Sequence, residues 1–245
     1  MSVRHKAVKA TLDRGYASEW NDDHHLDFED EITVQYLDPA PALSGSWNFA
    51  QTSGGSNPDW AMVGAAGSEH AFVVLNTGAT TDQVSSMRLM LDAAVSNVTS
   101  PADGPVLTLT LQIAAVHAAA GVANSVVEFG FQDDTDALFT QNLDMAIFRV
   151  YNGKIYAVTG SGAAETETEI ADYSEYAQYR IELSTTRCDF YIDDLGTPAA
   201  SHILADGDDI PNAPLTVKVS VRSKNNVDST IRVDALGLTR LRKSA

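Results

Sequence analysis

Carboxylates, a few aromatics and one thiol are the groups in this chain with chemistry to offer. Glycoside hydrolysis with retention needs two carboxyl groups about 5 Å apart. Alternation along a strand can aim two of them into one cleft. Glu165-Thr166-Glu167-Thr168-Glu169 has that alternation, with threonines on the opposite face. No aromatic neighbours line a sugar subsite there, so the stretch reads as a solvent-facing acidic strand. Glu169, Asp172 and Glu175 are spaced wrongly for the same task. Gly160-Ser161-Gly162 lacks the Gly-x-Ser-x-Gly elbow of a hydrolase nucleophile. Neither a phosphate-cradling loop nor a dinucleotide fingerprint occurs.

Binding chemistry is better represented. A flat aromatic can stack on a pyranose ring, and polar neighbours then fix its orientation. Trp47 and Trp60 flank a Gly/Ser-rich loop with Asn57 and Asp59, which makes these four the candidate glycan contacts. The competing reading is that both tryptophans are core or rim aromatics tethering the loop. Asp133, Asp134 and Asp136 cluster in one loop, and Asp206, Asp208 and Asp209 in another. Hard oxygen ligands on a flexible loop suit Ca²⁺, but neither loop has the spacing of a dedicated calcium loop. The first trio is a weak Ca²⁺ candidate, and no other metal or cofactor is expected. His24-His25 lies among Asp22, Asp23 and Asp27, yet adjacent residues of an extended chain point apart and chelate poorly. The single cysteine, Cys188, rules out an intrachain disulfide; its apolar strand context reads as core rather than nucleophile.

Charge narrows the partners. The 245 residues carry 33 acidic and 16 basic side chains, a net charge of −17. Broad nucleic-acid binding and attraction to an anionic membrane are therefore not expected. Asp outnumbers Glu by 23 to 10 and Lys occurs 6 times. Such a surface fits a halophilic setting, where salt screens self-repulsion. Arg4, Lys6 and Lys9 sit at the start and Arg240, Arg242 and Lys243 at the end. Without residues 1–10 and 240–245 the balance is −23. No apolar run is long enough for a membrane helix, and MSVRHKAVKA has no apolar core for a signal peptide.

The elements are strands. Residues 1–33 hold few apolar residues at any fixed period and read as an extended arm that orders by docking. The alternative is a strand and loop of the main domain. From residue 34 to 245, alternation or short apolar runs recur between turn-rich stretches. Expected strands are 69–76, 85–92, 106–116, 125–132, 144–151, 154–159, 177–184, 187–193, 200–204, 215–222 and 230–239. Asn152-Gly153 supplies the positive φ angles of a type I′ hairpin turn. Ser184-Thr185-Thr186-Arg187 reads as a second tight connection. Many short strands without helices imply one antiparallel β-sandwich.

Particular residues carry a family resemblance. Tyr179–His202 reads YRIELSTTRCDFYIDDLGTPAASH. This resembles the late strands of concanavalin A-like lectin/glucanase jelly rolls. Tyr179 takes the aromatic position, Phe190 and Tyr191 the aromatic pair, and Asp193-Asp194 the turn. Asp194 stands where that pattern has Gly. Ile231–Leu238 (IRVDALGL) is similar to the closing strand, with Asp234 in its usual place. Retaining enzymes of the family carry Glu-x-Asp-x-(x)-Glu, and the 165–169 stretch lacks the central Asp.

The order of elements over Ser125–Leu241 looks like C-terminal jelly rolls in structural proteins of tailed viruses. The leader VRHKAVKATLDRGYASEWNDDHHLD, residues 3–27, resembles leaders of such proteins. The resemblance implies a non-enzymatic virion surface protein, from a haloarchaeal virus given the charge. Tyr16, Trp20 and His24 would anchor the arm to other virion proteins. The sandwich would be displayed as a tail fibre, head fibre, turret or spike, a homo-oligomer of three or five copies. It would be made in the host cytoplasm, end on the particle surface and contact a host glycan. The runner-up is a secreted carbohydrate-binding module or glycoside hydrolase relative of the same fold.

Overall fold

The computed structural model describes residues 31–36, 47–51, 59–63, 72–78, 81–89, 99–113, 125–133, 143–162, 164–224 and 227–241. The described strands are β1 (Glu31–Tyr36), β2 (Trp47–Gln51), β3 (Asp59–Val63), β4 (Phe72–Asn76), β5 (Val84–Leu89), β6 (Val106–Ile113), β7 (Ser125–Gln132) and β8 (Asp144–Tyr151). They continue with β9 (Lys154–Ser161), β10 (Glu165–Asp172), β11 (Tyr176–Leu183), β12 (Arg187–Ile192), β13 (Ala200–Ile203), β14 (Thr216–Ser223) and β15 (Thr230–Leu241). Among the described residues, short 3₁₀ turns at Pro101–Asp103 and Leu204–Asp206 interrupt them. β1 begins ahead of the 33/34 boundary expected from composition and pairs with β15. The anchor candidates Tyr16, Trp20 and His24 lie outside the described residues.

Two antiparallel sheets form. One runs β13-β12-β11-β6-β15-β4-β3, with β1 also on β15; the other runs β10-β9-β8-β7-β14-β5-β2. Their inner faces meet through alternate residues, which is how a sandwich core is made. Phe129 and Phe148 come from the seven-stranded sheet, Tyr179 and Phe190 from the eight-stranded one. The Tyr179 ring sits 4.7 Å from Phe129 and 5.0 Å from Phe148, and Phe148 meets Phe190 edge-on at 5.3 Å. Edge-to-face contacts of this kind add to the burial term and lock the sheets together. Cys188 is buried beside them, and burial pushes its thiol pKa well up, so it is core.

Turn chemistry follows the residue types. Asn152 and Gly153 take φ of 51° and 75° and close the β8–β9 hairpin. Ser184 closes the β11–β12 turn: its hydroxyl accepts the Arg187 amide and its own amide donates to the Arg187 carbonyl. Asp193, at φ 58°, caps the next turn by accepting the Gln178 amide.

One buried histidine ties the sheets at their edge. His202 of β13 has Nδ1 2.7 Å from Thr159 Oγ1 of β9 and Nε2 3.0 Å from Thr168 Oγ1 of β10. Burial lowers its pKa, with Asp208 opposing. The folded state therefore binds this proton less readily than the unfolded chain. Stability from this site is complete above the unfolded value near 6.5 and is lost as pH falls below it. We expect the urea midpoint to drop between pH 7.5 and pH 5.5, and His202→Gln to show a smaller drop. Equal drops in both proteins would remove His202 as the cause.

Candidate functional site

Alternation decides which side chains leave the core. On β7, Val127, Phe129 and Phe131 point inward, so Glu128, Gly130 and Gln132 belong to the outer face of the seven-stranded sheet. By the same rule Met145, Ile147, Arg149 and Tyr151 of β8 lie there. So do Tyr156 and Val158 of β9, Thr216, Lys218, Ser220 and Arg222 of β14, and Ser86 and Arg88 of β5. Register aligns Ser86, Ser220, Glu128, Arg149 and Tyr156 as one row across five strands. Arg88, Lys218, Gly130, Ile147 and Val158 form the next.

Arg149 organises this face. Its Nε donates to Glu128 Oε1 at 2.7 Å, and its Nη1 to Glu165 Oε1 at 2.5 Å and Glu167 Oε2 at 3.0 Å. Gln132 Nε2 donates to the second Glu128 oxygen at 3.3 Å. Glu128 is 2% exposed, and burial raises its carboxyl pKa while Arg149 and Gln132 pull it back. The guanidinium pKa moves above its usual value because these carboxylates outweigh its own burial. Beside this set, the Tyr151 and Tyr156 rings stack at 4.4 Å, and the Tyr151 hydroxyl donates to Glu167 Oε1 at 2.8 Å. Met145, Ile147 and Val158 form a small buried cluster against Tyr156.

β10 is thus more than the solvent-facing strand its acidity implied. Glu167 and Glu169 are exposed, but Glu165 is half-buried on Arg149. Its threonines face the other way, as alternation requires. Thr168 meets His202, and Thr166 Oγ1 accepts the Asp209 amide. Sequence reading passed over Glu128 as a site residue, because VVEFGF looks like a continuous apolar run. The usable signal was a single Glu in an apolar strand with an Arg on the hairpin neighbour.

The other candidates are dispersed. Trp47 opens β2 at one edge of the seven-stranded sheet. Asp59 and Trp60 lie in β3 at an edge of the eight-stranded sheet, and Asn57 is outside the described residues. Asp133 follows β7: its amide donates to the Asp144 carbonyl, and its carbonyl accepts from Lys218 Nζ. Asp134 and Asp136 lie outside the described residues. Asp208 accepts the Ile203 amide and closes its own turn, and Asp209 accepts the Ser161 hydroxyl and ties that loop to the end of β9. Among the described residues no group of three acidic, histidine or cysteine side chains is placed to hold a metal.

No family model and no curated protein matches the sequence. Solved structures do. A Bacillus licheniformis β-glucanase superposes with TM-score 0.56 at 14% identity, over 86% of this chain and 98% of its own. The Ca²⁺/Man2-bound exoplasmic/lumenal domain of VIP36 gives 0.54 at 10% identity, over 89% and 90%. Alginate lyase A1-II′, of polysaccharide lyase family 7, gives 0.52 at 12% identity, over 70% and 80%. The fold is a concanavalin A-like jelly roll. One expectation is corrected by these likenesses. The virion resemblance implies a non-enzymatic protein, yet the fold neighbours include glycoside hydrolases and a polysaccharide lyase as well as lectins. Jelly-roll architecture therefore gives no ground for excluding catalysis.

Proposed function

We propose that this chain recognises a saccharide on the outer face of its seven-stranded sheet. The observation that carries the reading is the Glu128–Arg149–Gln132 set, hydrogen-bonded on one face beside the stacked Tyr151–Tyr156 pair. Charged and amide groups held rigid by one another suit sugar hydroxyls, and ring edges supply apolar contact. The mannose-bound and glycan-cleaving proteins of this fold support the same reading.

The test is calorimetric titration of the full chain with a panel of oligosaccharides, alongside Tyr156→Ala and Gln132→Ala. At least one saccharide should bind, with affinity cut about 10-fold by either variant. No binding across the panel, or binding indifferent to both variants, would overturn the proposal. Reducing-end release during the same titration would add turnover to recognition.

Display on a tailed-virus particle is the finer reading, resting on the leader and jelly-roll resemblance. Deleting residues 1–30, which leaves β1 whole, should then abolish particle incorporation. Normal incorporation of the truncated chain would remove that role.

A further inference from the structure

We infer that Asn152 is a site of spontaneous modification, where the tip of the β8–β9 hairpin converts itself to aspartate and isoaspartate. The reaction needs an asparagine whose side chain can be reached by the amide nitrogen of the next residue. Asn152-Gly153 is the one Asn-Gly pair in the chain. Glycine has no Cβ to hinder the approach, and a Cβ built at Gly153 would meet nothing within 4 Å. Asn152 is exposed, and among the described residues nothing holds its side-chain amide. Two other asparagines are placed differently. Asn76 precedes a β-branched residue, and its side chain is bonded to Gly78 and Asp228. Asn212 precedes Ala213, and the main-chain amides of both are held by Asp144.

Water is the only co-reactant. The Gly153 amide gives its proton to a solvent base, and its nitrogen attacks Asn152 Cγ. The new N–Cγ bond closes a cyclic imide. The Cγ–Nδ2 bond breaks, and Nδ2 takes up a proton and leaves as ammonia. Water then opens the ring. Opening at the main-chain carbonyl leaves the peptide running through Cγ, which is isoaspartate. Opening at Cγ leaves aspartate.

The turn both presents this pair and restrains it. Asn152 and Gly153 sit at φ 51° and 75° between the paired Tyr151 and Lys154. Swinging the Gly153 nitrogen onto Cγ turns that peptide and releases the Gly153 carbonyl from the Tyr173 amide, which donates to it at 2.9 Å. That bond and the Tyr151–Lys154 pairing set how often the tip opens. The two products then differ in what they do to the hairpin. Aspartate keeps the main chain and tolerates a positive φ. Isoaspartate adds a carbon to the backbone, so Tyr151 and Lys154 no longer face each other. Tyr151 stacks on Tyr156 at 4.4 Å and donates to Glu167, so the change reaches the face proposed for saccharide.

The full chain should be incubated at pH 8.5 and pH 6 and mapped by proteolysis and mass spectrometry, with the urea-unfolded chain as reference. In the folded protein Asn152 should convert several-fold faster than Asn76 or Asn212. It should also convert faster at pH 8.5, because the attacking amide must lose its proton. Converted chain, separated by ion exchange, should melt about 2–4 °C below Asn152→Asp, which carries the new charge without the added backbone carbon. A folded chain that keeps Asn152 intact while the unfolded reference converts overturns the site. So does conversion of Asn76 or Asn212 at the same rate. Equal melting of converted chain and Asn152→Asp overturns the backbone change. None of these measurements uses a saccharide, so their outcome is separate from that of the binding titration.

Discussion

Arg149→Met melts roughly 10 °C below the wild type at pH 7.5, and lowering the pH narrows the gap. The first half follows from burial. Arg149 and Glu128 are 12% and 3% exposed at their side chains, and Glu165 is 14% exposed. Removing the cation leaves one enclosed carboxylate and two neighbours of like charge. Breaking a buried pair from one side costs about 3–5 kcal/mol. For a chain of this size each kcal/mol moves the midpoint by about 2–4 °C.

The pH dependence follows from the sign of the Glu128 shift. Its folded pKa is already raised by burial, and loss of Arg149 removes the main opposing influence. A raised carboxylate pKa means that the folded state binds the proton more tightly, so stability increases as pH falls through that value. Scanning calorimetry at pH 7.5 and pH 5 checks both halves. Arg149→Lys should recover only part of the loss, since a point charge cannot serve three carboxylates as a fork does. A double variant with Glu128→Leu should recover most of it, because the orphaned charge is gone. A gap that stays constant with pH would mean that Glu128 is not the group left exposed to the loss.

The same residues show how far the sequence can be read. β7 and β8 match their expected ranges end to end, because each is a run of apolar residues bounded by turn formers. The Asn152-Gly153 turn and the aromatic pattern from Tyr179 to Phe190 were likewise local signals. The three N-terminal strands are each six residues or fewer, and two of them pair beyond their chain neighbour, β1 with β15 and β2 with β5. The face around Arg149 was legible only in pieces. Glu128, Arg149 and Glu165 come from three strands, and nothing local says that Glu128 is opposite Arg149. Register supplies that, and register is set by the whole sheet. Acidity at 165–169 was plain, but its counter-charge was 16 residues away. The tryptophan pair shows the converse: closeness in sequence placed Trp47 and Trp60 around one loop, while the fold puts their strands in different sheets.

Gly130→Ala is the substitution expected to damage the molecule most for its size. Gly130 sits in the middle of β7 with φ +143°, a conformation closed to L side chains without strain. A Cβ there would lie 2.5 Å from the Ala146 carbonyl oxygen, 2.8 Å from Ile147 Cα and 2.9 Å from Ile181 Cδ1. Two of those three atoms are backbone of the paired β8 strand, so they cannot turn aside as a flexible side chain would. Strained backbone costs about 1–3 kcal/mol, and forced overpacking adds about 1–3 kcal/mol. A combined loss of roughly 3–5 kcal/mol is therefore expected as a fall in urea midpoint.

Gly153→Ala separates the two contributions. Its φ of +75° is also unfavourable for alanine, but nothing lies within 4 Å of the added carbon. That variant should lose only about 1 kcal/mol. If the two losses come out alike, the tight β7–β8 approach is not what makes glycine necessary at 130. If Gly130→Ala alone is severe, the strand between Glu128 and Gln132 is held at close range by a residue without a side chain. Saccharide affinity measured on the folded fraction should then fall with it, because both site residues hang from the same displaced strand.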